Sequence, residues 1–342
     1  MTAILTTPAM IWLAFAICLV LISIAGPMLS FGAQVIADRG RVSEGWIGLI
    51  LLSTVTSLPE LIIGVSSVTV AQVPEIAVSD VFGSCVFNLV ILIVLDFIQR
   101  GESVYRRVSQ GHILSAGFSI LLIGFAGISV LLHGQGAAFH IGGVGGYTPI
   151  ILALYVLGIR ASFLYERNQS AAALTQDRRG RPVATLRKAI AMCILASAII
   201  AVAGVSLPFI AERLAEMMGW KQTFVGSLLV ALITSIPEMV VSVAAVRAGA
   251  VDMAIGGVLG SNMFNMVVLG IDDLAFRDGP LLEHVSSIHA VSAMSAMIMT
   301  GLVIVGLLYR PQQRVFRAVG WISLSLFTVY LLNSYALFLH DR

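Results

Sequence analysis

The chain has 342 residues, 58% of them apolar and only 11% charged, with a mean hydropathy of +0.98, and so few charges cannot cover a soluble globule of this length. A net charge of +2, with no stripe of basic and aromatic residues, argues against a nucleic-acid partner. The three cysteines, Cys18, Cys85 and Cys193, lie far apart inside apolar runs, so no CxxC metal or redox spacing exists.

A hydrocarbon core about 30 Å thick is crossed by roughly 20 apolar helical residues. On that ruler the chain contains ten spans, at 9–36, 45–72, 76–98, 112–132, 147–165, 187–211, 222–247, 253–275, 288–308 and 316–339. The first has no basic leader and is too long for a signal-peptide core, so it reads as a true span. Pro74 closes the second span before the third begins. The glycine-rich stretch Gly134 to Gly146 reads as a flexible outer loop, and the polar segment 166–186, with Arg178, Arg179 and Arg181, as a cytoplasmic linker. Sixteen Lys and Arg fall on one side of this topology and four on the other. Basic residues gather on cytoplasmic loops, which turns both termini outward.

The chain also matches itself. Val55-Thr56-Ser57-Leu58-Pro59-Glu60-Leu61 recurs 178 residues later as Ile233-Thr234-Ser235-Ile236-Pro237-Glu238-Met239. At a displacement of 177, Gly83-Ser84 falls on Gly260-Ser261, Phe87-Asn88 on Phe264-Asn265, and Asp96 on Asp273. Residues 1–165 and 187–342 therefore form two five-span repeats joined by the linker 166–186, an all-α membrane protein. Five is odd, so the second repeat enters the membrane from the opposite side. Inverted repeats with interrupted helices are the mark of secondary transporters, whose sites lie near mid-membrane at the repeat interface.

Glu60 and Glu238 sit deep within their spans, where an ionised acid costs about 2.5–3.5 kcal/mol and marks an ion or proton path. Ser53, Thr56, Ser57 and Glu60 share one helical face, and Thr234, Ser235 and Glu238 repeat it with Ala231 in the place of Ser53. Pro59 and Pro237 each free main-chain oxygen beside a glutamate. Ser84 with Asn88, and Ser261 with Asn265, add a second polar face at i, i+4. Hydroxyls, carboxylates and carbonyls are hard donors suited to calcium or sodium rather than to soft metals. Asp80 reads as a charge at the outer end of its helix, or else as a third negative group along the path. Asp96, Asp272 and Asp273 read as interfacial, as do His112 and His289.

These motifs resemble those of the sodium/calcium exchangers within the cation/calcium exchanger superfamily, and the resemblance covers essentially the whole chain. It implies an antiporter whose second, third, seventh and eighth helices hold the ions, with Thr56, Ser57, Glu60, Ser84 and Asn88 as ligands from one repeat. Thr234, Ser235, Glu238, Ser261 and Asn265 match those of the other. It also implies that the first and sixth helices, around Gly26 and Gly204, slide as a pair. The chain departs from the family at Asn265, where some relatives carry Asp, and at Ser79-Asp80, Gly256-Gly257 and Cys85.

The expected function is secondary antiport of calcium against sodium, with a proton-coupled exchanger as the alternative and a passive channel as a remote one. No HExxH or GxSG motif points to an enzyme. No cofactor is implied. The partners are the transported cations (calcium, sodium or proton) and the lipid bilayer, a monomer is consistent with the sequence, and a chain of this kind suits a bacterial inner membrane.

Overall fold

A computed structural model describes residues 7–40, 42–99, 102–134, 140–173, 185–218, 232–311, 314–315 and 319–340. Its long helices are α1 (Pro8–Gly40), α2 (Glu44–Ala71), α3 (Pro74–Ile98), α4 (His112–Gly134), α5 (Tyr147–Ala173), α6 (Leu186–Met218), α7 (Ile236–Arg247), α8 (Val251–Ala275), α9 (His289–Tyr309) and α10 (Trp321–His340). Among the described residues, all of these except α7 are long and apolar enough to cross a membrane. The part of the seventh span at 222–231 lies outside the described residues.

The ends differ from the sequence expectation where polar residues can continue a helix at no cost outside the hydrocarbon. α5 runs through the first residues of the expected linker to Ala173. At the start of the last span, Val319–Gly320 pairs antiparallel with Arg314–Val315 ahead of it, and α10 begins at Trp321. Within the expected outer loop, His140–Ile141 pairs with Val144–Gly145.

The packing obeys the pseudo-twofold relation. α3 lies on α8 and α4 on α9, each pair being its own symmetry mate. α3 on α9 answers α8 on α4, and α3 on α10 answers α8 on α5. α1 runs along α6 at the outside of this core and crosses α7, while α6 crosses α2. Leu13, Ile17, Val20 and Ile24 are at least half exposed along one face of α1, an apolar stripe that only lipid can cover.

Small residues set the spacing at the centre. A Cβ on Gly48 would sit 2.1 Å from the Met253 carbonyl oxygen, and one on Gly260 would sit 2.3 Å from that of Leu49. α2 and α8 therefore touch backbone to backbone, as membrane helices do where glycine allows. On the pseudo-axis, Asn262 donates from Nδ2 to the Cys85 carbonyl at 3.1 Å. Those two residues are each other's repeat equivalents.

Candidate ion-binding site

Both glutamate helices break at the expected place. Residues 53–56 of α2 are helical, Ser57 leaves helical geometry at φ −90° and ψ 12°, and the helix restarts at Leu58 with Pro59 in its first turn. The second repeat does the same, with Ser235 at φ −83° and ψ 5° ahead of Ile236 and Pro237. Proline has no N–H to give the preceding turn, so each break leaves main-chain carbonyl oxygen short of a partner. Glu60 and Glu238 follow in the first turn of each restarted segment.

The breaks bring the two glutamates into one buried cluster. Glu60 is 0% exposed and Glu238 2%. Ser57, from one repeat, donates to Glu238 Oε1 of the other at 2.9 Å. Ser84 lies 3.5 Å from Glu60 Oε1 and 3.3 Å from the Thr234 hydroxyl. Ser53 and Thr56 donate to their own helix, to the carbonyls of Leu49 at 2.5 Å and Leu52 at 2.9 Å, which leaves their oxygen lone pairs free to accept. Ala231 lies outside the described residues, so its position relative to the cluster is not described.

Many of these polar atoms have no partner. Among the described residues, Glu60 Oε2, Glu238 Oε2, Ser235 Oγ, Ser261 Oγ, both amide atoms of Asn88 and Oδ1 of Asn265 are buried without a hydrogen bond. Natural proteins satisfy nearly all buried polar groups, and each exception costs about 1–3 kcal/mol. A cluster of orphaned oxygens around two acids is stable only where cations or protons compensate it. Among the described residues no three His, Cys, Asp or Glu side chains converge as a resident metal site requires. Hydroxyls and amides make up the remainder of this donor set, a weak hard-oxygen cage from which ions can leave.

Asp80 corrects the expectation of an interfacial charge. It is 2% exposed and accepts from Thr234 Oγ1 at 3.2 Å, which links it through Thr234 and Ser84 to Glu60. Its position early in α3 suggested an exposed end, but α2, α7 and α8 pack against α3.

Asp96 and Asp273 stand at the ends of their helices, away from the cluster, and are fully buried there. Asp96 accepts from Ser103 Oγ, Val104 N, Gly320 N and Ser323 Oγ at 2.8–3.0 Å. Asp273 accepts from Gly145 N, Tyr147 Oη, Thr148 Oγ1 and Leu281 N at 2.5–2.9 Å. Each ties the end of its helix to the neighbouring loops. Asp272 is also 0% exposed, but among the described residues neither of its oxygens has a hydrogen-bond partner. The histidines stand at span edges as expected: His112 bonds Asp252, and its repeat equivalent His289 bonds Glu75, both at 2.9 Å.

Two opposed sets of broken helices around a hard-oxygen cage define an integral membrane carrier of cations. The comparisons carry the assignment further. Residues 10–165 and 188–336 match the sodium/calcium exchanger protein family, one segment in each repeat, and the chain belongs to that family. It is a cation antiporter and not an enzyme.

Among relatives, it is 28% identical over 291 residues to the inner membrane protein YrbG of Escherichia coli, covering 80% of this chain and 85% of that one. It is 25% identical over 249 residues to the putative antiporter CaxA of Alkalimonas amylolytica, covering 70% and 73%. A solved structure of the sodium-calcium exchanger NCX_Mj superposes with a TM-score of 0.72 at 20% identity, covering 95% of this chain and 98% of that one. At that identity the superposition speaks for the fold.

Proposed function

We propose that the chain exchanges calcium for sodium by alternating access, with the cage around Glu60 and Glu238 as its central site. The observation that carries this reading is the joining of the repeats at one point: Ser57 of the first bonds Glu238 of the second within a buried group of unpartnered oxygens. The ligands are Ser53, Thr56, Ser57, Glu60, Ser84 and Asn88 from the first repeat, and Thr234, Ser235, Glu238, Ser261 and Asn265 from the second. Ala231 contributes at most its backbone, since its side chain has no donor atom.

Two ionised glutamates can be neutralised by one divalent cation or by two monovalent ones. The occupants therefore exclude one another. An empty, doubly negative cage is too costly to pass behind lipid, so the access change requires a filled one. α1 and α6 are suited to carry that change: a Cβ on Gly26 would meet Val240 at 2.8 Å, and one on Gly204 would meet Pro59 at 2.6 Å. Both members of the outer pair thus cross the restarted segments at glycine, on surfaces smooth enough to slide.

We place both termini outside a bacterial inner membrane, on the distribution of basic residues and on the named location of the Escherichia coli relative. The test is radioactive calcium uptake into proteoliposomes under an imposed sodium gradient, a proton gradient, or neither. Uptake driven by sodium and by unlabelled calcium on the opposite face supports the reading. Uptake driven by protons alone assigns the coupling ion to the proton, and uptake that needs no counter-ion replaces the carrier with a channel.

A further inference from the structure

Beyond the central cage, the outward half of the path holds two buried acids whose repeat-equivalent positions on the inward side carry none. Asp272 lies three turns beyond Ser261 on α8 and is 0% exposed, with neither carboxylate oxygen hydrogen-bonded. It presses on the backbone of α2, where a Cβ added to Gly64 would come within 2.2 Å of Oδ2 and 2.6 Å of Oδ1. Gly64 is four residues, about 6 Å of helix, outward of Glu60. Asp80 on α3 stands on the same outward side, and among the described residues its Oδ2 is likewise buried without a partner.

Among the described residues, the groups that face these two acids supply no positive charge. Asp273, next in the chain, is saturated by its four donors. α2 presents Gly64 with Glu60 one turn inward, and the turn ahead of the Ser235 break presents the neutral Thr234 hydroxyl, which bonds Asp80. Two dehydrated carboxylates in such surroundings need a cation or a proton.

The repeat makes the asymmetry explicit. At the equivalent positions on the inward side, Asp272 is replaced by Leu95, Asp80 by Gly257 and Gly64 by Ser242. No acid stands there.

We propose that Asp272 and Asp80 form a second cation station on the outward side of the central cage, which holds calcium between two carboxylates as it passes to or from Glu60. The Thr234 and Ser84 hydroxyl oxygens, which lie in series between Asp80 and Glu60, give the ion continuous oxygen contact between the stations. Because the station lies on one side only, the apparent calcium affinity of the outward-open carrier exceeds that of the inward-open one. The proposal rests on the exchange reading and on the orientation given above.

The test is calorimetric titration of the detergent-purified full chain with calcium. It compares wild type with Glu60→Gln, Asp272→Asn, Asp272→Leu and the double variants of Glu60→Gln with either Asp272 change. Leucine is the residue the first repeat itself uses at this position, so Asp272→Leu keeps a fold-compatible side chain. Glu60→Gln should retain a calcium event at least about tenfold weaker than wild type, and both double variants should lose it. Double variants that bind like Glu60→Gln alone would overturn the outer station while leaving the central cage intact. So would a Glu60→Gln chain that binds no calcium, or an Asp272→Asn change that alters only proton release. A wild-type chain that binds no calcium would overturn both proposals.

Discussion

The aspartates that close α3 and α8 and the glutamates at mid-membrane are equally buried, yet they live in opposite chemistry. Asp96 and Asp273 each receive four hydrogen bonds from loops and neighbouring helices. Glu60 and Glu238 each keep an oxygen that nothing bonds. A carboxylate saturated by donors has no capacity left for an ion and serves as a staple. One left short of donors beside another acid is a liability to the fold that a cation removes. Burial alone does not distinguish the two roles; the count of donors does.

That contrast is broken or sharpened by substitution. The largest effect is expected from Glu60→Gln and Glu238→Gln, which remove the charge but keep the shape. Each should lower calcium flux in proteoliposomes by more than about a hundredfold, roughly 3 kcal/mol. Thermal stability in detergent should hold or rise as the repulsion between the acids is relieved. Asp96→Ala and Asp273→Ala should do the reverse. Stability falls by several kcal/mol, because each change strands four buried donors at about 1–3 kcal/mol apiece before relaxation. The fraction that remains folded should bind calcium with near wild-type affinity.

Gly260→Ala comes next. Its Cβ would meet the Leu49 carbonyl at 2.3 Å, and overpacking against backbone costs about 1–3 kcal/mol, read as a lower melting temperature together with reduced flux. The smallest effect is expected from Glu75→Gln. It weakens a bond to His289 from a side chain that is 44% exposed, and exposed pairs contribute about 0–1 kcal/mol. A flux loss comparable to that of Glu60→Gln would show that His289 and Glu75 belong to the ion path.

Much of this contrast was legible in the sequence, though unevenly. The glutamate pair was visible because the proline and hydroxyl spacing around it recurs in both halves, and the helix breaks at Ser57 and Ser235 follow from Pro59 and Pro237. Asp80 allowed two readings because six residues from a helix start looks superficial, and the Thr234 that bonds it is distant in the chain. Asp272 and Asp273 are adjacent, and nothing in their order tells which will find four donors and which none. Donors such as Gly145 N and Leu281 N are set by loop geometry. The helix extension to Ala173 was hidden for the opposite reason: outside the hydrocarbon, hydropathy stops reporting on helicity.

The central claim is that one cage is shared by acids from two opposed repeats, and calcium binding by Glu60→Gln, Glu238→Gln and the double variant tests it most directly. A shared cage loses its ion when either acid goes. The expected result is that each single variant loses nearly as much binding free energy as the double, a large non-additivity. Losses that simply sum would place the two glutamates at independent sites and contradict the account.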